Sequence, residues 1–219
     1  MEVRCPQNRE EVLASLFVRY PNLVSCELEI RSAIVMVIDA FRHGKKLLIC
    51  GNGGSAADSE HVVGELMKSF RFKRPVDQSF SQAYHLANGE EPPIWLEGAL
   101  PAISLVSQTA LSTAFGNDES AVGVFAQQVY GYGEKGDVLL AISTSGNSAN
   151  VIEAAKVARA KGVKVVGLTG RRNSKLTSLS DVCVRVPHDE VFQVQELHLP
   201  VYHCLCAAVE AELFGGEHV

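Results

Sequence analysis

Two residue pairs have the side chains and the spacing for metal or acid–base chemistry: His61 with Glu65, and Gln195 with His203. The first pair stands four residues apart, so on a helix both side chains project from one face. The second stands eight apart, slightly more than two turns, and also shares a face. An imidazole beside a carboxylate can ligate a divalent ion or exchange a proton with a substrate. Either pair alone also suits an ordinary helix surface, and His188, Glu196 and His198 compete for the role near the second pair.

Two short polar turns add a different chemistry. Gly51-Asn52-Gly53-Gly54-Ser55 follows the apolar run Leu47–Cys50, and Ser143-Thr144-Ser145-Gly146-Asn147-Ser148 follows the apolar run Val138–Ile142. A Gly/Ser turn between a buried strand and a helix N-terminus presents unpaired backbone N–H groups and the positive end of the helix dipole, which together attract phosphate. Ser55 and Ser148 also suit plain N-caps. Gly51, Gly53 and Ala56 formally match a dinucleotide fingerprint, but the acid expected about 20 residues on is absent, because Lys68 to Pro75 is basic. The hydroxyl-rich second turn suits the single phosphate of a sugar better than a pyrophosphate.

The elements that must carry these residues follow from hydrophobic period. Apolar residues recur at helical spacing over Arg9–Tyr20, Val24–Phe41, Ala56–Phe70, Ala149–Lys161 and Gln193–Leu213. Short wholly apolar runs at Leu47–Cys50, Ala102–Val106, Val138–Ile142, Val163–Leu168 and Val182–Val186 have the character of strands buried on both faces. Alternation of the two predicts one α/β domain over 1–219, a three-layer α-β-α sandwich with a five-stranded parallel sheet of flavodoxin or Rossmann type. Helices over 1–44 precede the sheet and are expected to serve oligomerisation. Pro75, Pro92, Pro93 and Pro101 mark 75–101 as an insertion, either a lid or a disordered loop. Pro200 is expected near a first turn or at a kink.

Composition excludes several classes. A net charge of −5 gives no basic footprint for nucleic acid. The six cysteines form no CxxC and lie largely in apolar runs, as expected of reduced thiols in a cytoplasmic protein. No apolar stretch approaches the roughly 20 residues of a membrane span, and Met1–Asn8 lacks the apolar core of a leader.

Taken together, Leu48–Ser55, the helix with His61 and Glu65, Arg74-Pro75, Phe115-Gly116-Asn117-Asp118, Gly136–Ile152, and Arg185-Val186-Pro187 with Gln195-Glu196-Leu197-His198 resemble the phosphoheptose isomerases of the sugar-isomerase (SIS) superfamily. The resemblance runs from about Ala33 to Leu213. It implies a zinc ion on His61, Glu65, Gln195 and His203, with Glu65 and His203 also placed for proton transfer. It further implies that Asn52, Gly53, Gly54, Ser55, Asn117 and Asp118 line the sugar with Glu65 and Gln195, and that Ser143, Thr144, Ser145 and Ser148 hold its phosphate. A homotetramer with sites at subunit boundaries is implied as well. Ser69 stands where the family usually has an arginine, and Phe192 where some members have an acid. A non-catalytic SIS regulator that binds a replication initiator shares the two turns but lacks counterparts of Glu65 and His203, and an isomerase of another ketose phosphate is a second alternative.

Overall fold

A computed structural model describes residues 8–215. Five parallel strands, β1 (Leu47–Cys50), β2 (Ala102–Ser104), β3 (Val138–Ile142), β4 (Lys164–Thr169) and β5 (Val182–Arg185), lie in the order β2-β1-β3-β4-β5. Their apolar runs are continuous because both faces are covered, and successive side chains divide between two cores. Leu47, Ile49, Val138, Leu140, Val166 and Val184 pack under α1 (Arg9–Arg19), α2 (Glu27–Arg42), α3 (Gly54–Met67) and the long α9 (Val191–Phe214). Leu48, Cys50, Leu139, Ala141 and Val165 pack under α6 (Val124–Tyr132), α7 (Ala149–Ala160) and α8 (Lys175–Leu179). The expected three-layer sandwich is therefore what forms.

The strand order reverses direction between β1 and β3, which are adjacent. In an open parallel sheet this switch point leaves a crevice at the carboxyl ends, because the two outgoing connections cross to opposite faces. Both polar turns leave from those two strand ends. The register pairs Cys50 with Ala141, so the turns begin side by side.

Three local expectations change. Pro21 starts a 3-10 segment, Pro21–Cys26, so the second helix begins at Glu27 and not at Val24. The insertion 75–101 is not a disordered loop throughout: it contains α4 (Gln78–Asn88), opened by Asp77 accepting from the Phe80 N–H at 2.8 Å and closed by Gly89 at φ +74°. No residue of α4 is buried, and Leu86 within it and Ile94 and Trp95 after it are exposed. Pro200 lies well inside α9, beyond the first turn. Five cysteines are free thiols, and Cys5 falls outside the described residues. Among the described residues no helix is long and apolar enough to cross a membrane.

His198 is fully buried on the inner face of α9. It lies beside the Thr169 backbone without a hydrogen bond of good geometry to either ring nitrogen. Burial pushes its imidazole down from 6.5 to about 4. As pH falls through 6.5 the unfolded chain binds this proton and the folded chain does not. The stability held by the neutral ring is thus complete above 6.5 and lost on the way down to about 4, on the order of 3 kcal/mol. Urea unfolding at pH 7 and pH 4 is expected to show a larger loss for the unmutated chain than for His198→Leu. Identical pH dependence in the two would refute it.

Candidate active site

The first turn carries the chain from β1 into α3 through Gly53, whose φ of +57° a side chain would strain. Gly53 is the N-cap, so α3 has no side-chain cap, and Ser55 is buried within the first helical turn with its carbonyl accepting from Ser59 Oγ. Gly54 is required for a different reason. A Cβ there would come within 2.5 Å of Gln195 Nε2, so the Gln195 side chain of α9 lies directly on the start of α3. Asn52 and Asn150 exchange two amide hydrogen bonds of 2.9 Å each, which tie the first turn to the N-terminus of α7.

The second turn bends at Gly146, at φ +63°, where any Cβ would collide with the Ser174 hydroxyl. Ser143 is buried and its hydroxyl meets that of Ser148 at 3.0 Å, while Ser148 makes no side-chain cap to α7. Both turns therefore end in helix N-termini without a capping side chain, which keeps their field directed at the crevice. Thr144, Ser145 and Asn147 line a cavity of about 220 Å³ with Arg171, Arg172 and His188. Asp189 draws in both arginines, Arg171 Nη2 at 2.6 Å and Arg172 Nε at 3.1 Å, and the Arg171 guanidinium holds its carboxyl below the usual range. A larger hollow of about 580 Å³, lined by Arg31, Met36, Val138 and Lys164, sits by the amino ends of the strands, away from the turns.

Further along α3 the helical spacing brings His61 and Glu65 together, and α9 delivers His203 to them. His61 Nε2 lies 3.1 Å from Glu65 Oε1 and 3.3 Å from His203 Nε2. One donor atom from each of the three residues lies within 4.8 Å of the others. Glu65 is mostly covered, at 15% exposure against 43% for His61. Burial, with His61 alongside, lowers the His203 pKa, which favours the neutral ring that a metal ligand needs. Behind His61, Tyr202 donates to Asp58 Oδ1 at 3.1 Å and meets His61 Nδ1 at 3.2 Å.

Arg74 locks the end of α3. Its guanidinium donates to the carbonyls of Leu66 at 2.6 Å and Glu65 at 3.1 Å, and to Glu210 of α9 at 2.8 Å. Glu210 in turn accepts from the backbone N–H groups of Phe70 and Arg71, each at 2.8 Å.

The structure thus joins His61, Glu65 and His203, sets Gln195 against Gly54, about two turns up α3 from His61, and keeps the competitors out of the cluster. Glu196 is exposed, His198 is buried elsewhere, and His188 faces the polar cavity. Asn117 and Asp118, in the π-helical segment Gly116–Ser120, are exposed and hydrogen-bond to each other at 2.8 Å, with no such bond to the three-residue cluster. Asp58, Tyr202, Arg74 and Glu210 were not among the residues predicted. Asp58 stands three residues before His61 and Tyr202 directly before His203, so helix geometry was the available signal for these two.

The profile of the SIS domain matches residues 23–88 and 96–170, breaking only within the segment that holds α4 and its exit. The phosphoheptose isomerase of Rhodospirillum rubrum is 38% identical over 93% of this chain and 94% of its own length. That of Clostridium acetobutylicum is 39% identical over 85% and 84%. The solved structure of the phosphoheptose isomerase from Neisseria gonorrhoeae superposes with a TM-score of 0.69 at 33% identity, covering 92% of this chain and 98% of that one. With SIS-domain similarity over most of its length and this degree of identity to full-length relatives, the chain belongs to the phosphoheptose isomerase family, sugar-phosphate isomerases built on the SIS domain.

Proposed function

We propose that the protein converts D-sedoheptulose 7-phosphate to D-glycero-D-manno-heptose 7-phosphate at a zinc site formed by His61, Glu65, His203 and Gln195. The observation that carries this is the convergence of three donor atoms at 3.1 and 3.3 Å beside two anion-type turns. Ligands bound tetrahedrally at about 2.0–2.1 Å stand about 3.3 Å apart, so His61, Glu65 and His203 fit a zinc ion with little movement, whereas Gln195, held against Gly54, has to swing toward them to complete the set. When bound, the ion supplies Lewis acidity toward the adjacent oxygens of the sugar.

The residues divide the remaining work. Glu65 takes the proton from C1 of the ketose, the electron pair forms the C1=C2 bond of an enediol, and His203, neutral and with Nε2 turned to the metal site, passes the proton of its Nδ1 to the former carbonyl oxygen. Glu65 then returns its proton to C2 while the O1 hydroxyl proton passes to His203, which yields the aldose and restores both groups. Ser143, Thr144, Ser145 and Ser148 receive the 7-phosphate at the α7 N-terminus. Ser55, which is buried, shapes the first turn from behind. Asn52, Gly53, Gly54, Asn117 and Asp118 contact the sugar chain, the last two from the segment that follows β2. The exposed Val18, Leu28 and Val35 on α1 and α2 are assigned to subunit contacts of a homotetramer, working in the cytoplasm without nucleic acid or membrane.

The test is incubation of the purified protein with sedoheptulose 7-phosphate, with and without a chelator. Aldose is expected to form, to stop on chelation and to return with added zinc. Undiminished turnover by the chelated protein would remove the metal from the reaction, and absence of aldose under all conditions would remove the substrate.

A further inference from the structure

Tyr202 and Asp58 stand behind the candidate metal cluster. Tyr202 is almost fully buried on α9, and its ring meets those of His61 and His203 edge to face with centroids 5.5 and 5.0 Å apart. Its hydroxyl lies between Asp58 Oδ1 at 3.1 Å and His61 Nδ1 at 3.2 Å. A phenol has one proton to give, and an ionised carboxylate can only accept. With the proton directed to Asp58, the phenol oxygen accepts from Nδ1–H of His61.

That assignment leaves His61 Nε2 with a lone pair, and Nε2 is the atom that faces Glu65 Oε1 and His203 Nε2. His61 Nε2 and Glu65 Oε1, 3.1 Å apart, then face each other as two acceptors with no proton between them, an arrangement that a cation relieves. The opposite arrangement puts the proton on Nε2, bonded to Glu65, and turns the Tyr202 proton toward Nδ1. Asp58 would then lose its hydrogen bond, and its Oδ2 is already buried without a partner. A carboxylate stripped of its one donor in a buried position is the costlier state.

We propose that Asp58 and Tyr202 act as positioning residues, a relay that holds His61 in the Nδ1–H tautomer and so presents Nε2 as a metal ligand. The relay rests on the metal-dependent function proposed above, and it adds two residues to the outer shell of partners that orient a ligating histidine. It also explains why a tyrosine, and not a second apolar residue, fills a buried position next to His203.

Two measurements test it. In metal-free protein labelled with 15N-histidine, two-bond 1H–15N correlations are expected to show His61 as Nδ1–H, and to show it shifted toward Nε2–H in Tyr202→Phe. Zinc affinity, read by competition with a chromophoric chelator, is expected to fall about 10–100-fold in Tyr202→Phe. Asp58→Asn combined with Tyr202→Phe is expected to lose little more than Tyr202→Phe alone, because both act through one chain of hydrogen bonds. An Nε2–H tautomer in the unmutated protein, or unmutated zinc affinity in a folded Tyr202→Phe, overturns the relay. If Tyr202→Phe does not fold, the tautomer of the unmutated protein decides. Absence of zinc binding by the unmutated protein would instead count against the metal-dependent function, while the metal-free tautomer still decides the relay.

Discussion

Glu65→Gln is expected to lower kcat by roughly 10²–10⁴-fold with the fold intact, because it removes the one carboxylate positioned to take a proton from the sugar. The amide keeps the shape of the side chain and an oxygen that can face His61, so packing and stability should change little. Proton abstraction has its own readout. In deuterated solvent the unmutated enzyme is expected to place deuterium at C2 of the aldose and to wash it into C1 of recovered ketose, and Glu65→Gln to do neither. The prediction is sharpened by where Glu65 sits. It is 15% exposed, next to His61 at 3.1 Å, and its own carbonyl accepts from Arg74. Among the described residues no other acid joins the His61 and His203 cluster. Full turnover by Glu65→Gln would assign the base to another group.

Much of the fold is legible because burial on both faces leaves a plain mark. Leu47-Leu48-Ile49-Cys50 and Val138–Ile142 have no polar residue to blur them, and a strand with that property has to sit inside a covered parallel sheet. The turns that follow are legible for the same reason, since glycine and serine interrupt the apolar run abruptly. α4 was missed because four prolines dominate its surroundings and none of its residues is buried, so no core-facing stripe sets it apart. The capping pair Asp77 and Gly89 was the signal that could have outweighed them.

Within the site, helical spacing reveals His61 with Glu65, but it cannot tell which histidine of α9 meets them. His198 and His203 differ by about 140° around the helix axis, and only the packing of α9 on α3 decides between them. Gln195 shows the same limit: its place against Gly54 follows from a close approach of two helices that no spacing rule encodes.

The pairing of Arg74 with Glu210 is the least legible feature, and it carries the second large expected effect. The two are 136 residues apart, both side chains are at 0% exposure, and nothing local marks either as buried. Glu210→Gln is expected to destabilise the protein by about 3–5 kcal/mol, since it leaves a guanidinium without its counter-charge in the interior. For a chain of this size that lowers Tm by roughly 6–20 °C in a thermal melt. Many buried ion pairs can be exchanged for apolar residues at no cost, because desolvation of the two charges offsets their attraction. This one differs because it also satisfies backbone. Arg74 binds the Glu65 and Leu66 carbonyls at the end of α3, and Glu210 binds the Phe70 and Arg71 N–H groups that follow. Replacing both with methionine removes the charges and takes these partners from the Glu65 carbonyl and the Phe70 and Arg71 N–H groups, each loss costing about 1–3 kcal/mol if water does not reach it, while the Leu66 carbonyl keeps the Leu100 N–H at 3.0 Å. The double variant Arg74→Met with Glu210→Met is therefore expected to remain as destabilised as Glu210→Gln. It is also expected to lose kcat at temperatures where it is still folded, because the turn of α3 that carries Glu65 is no longer held. A double variant that melts with the unmutated protein would show that the pair is only a tolerated charge pair, and that α3 positions Glu65 without it.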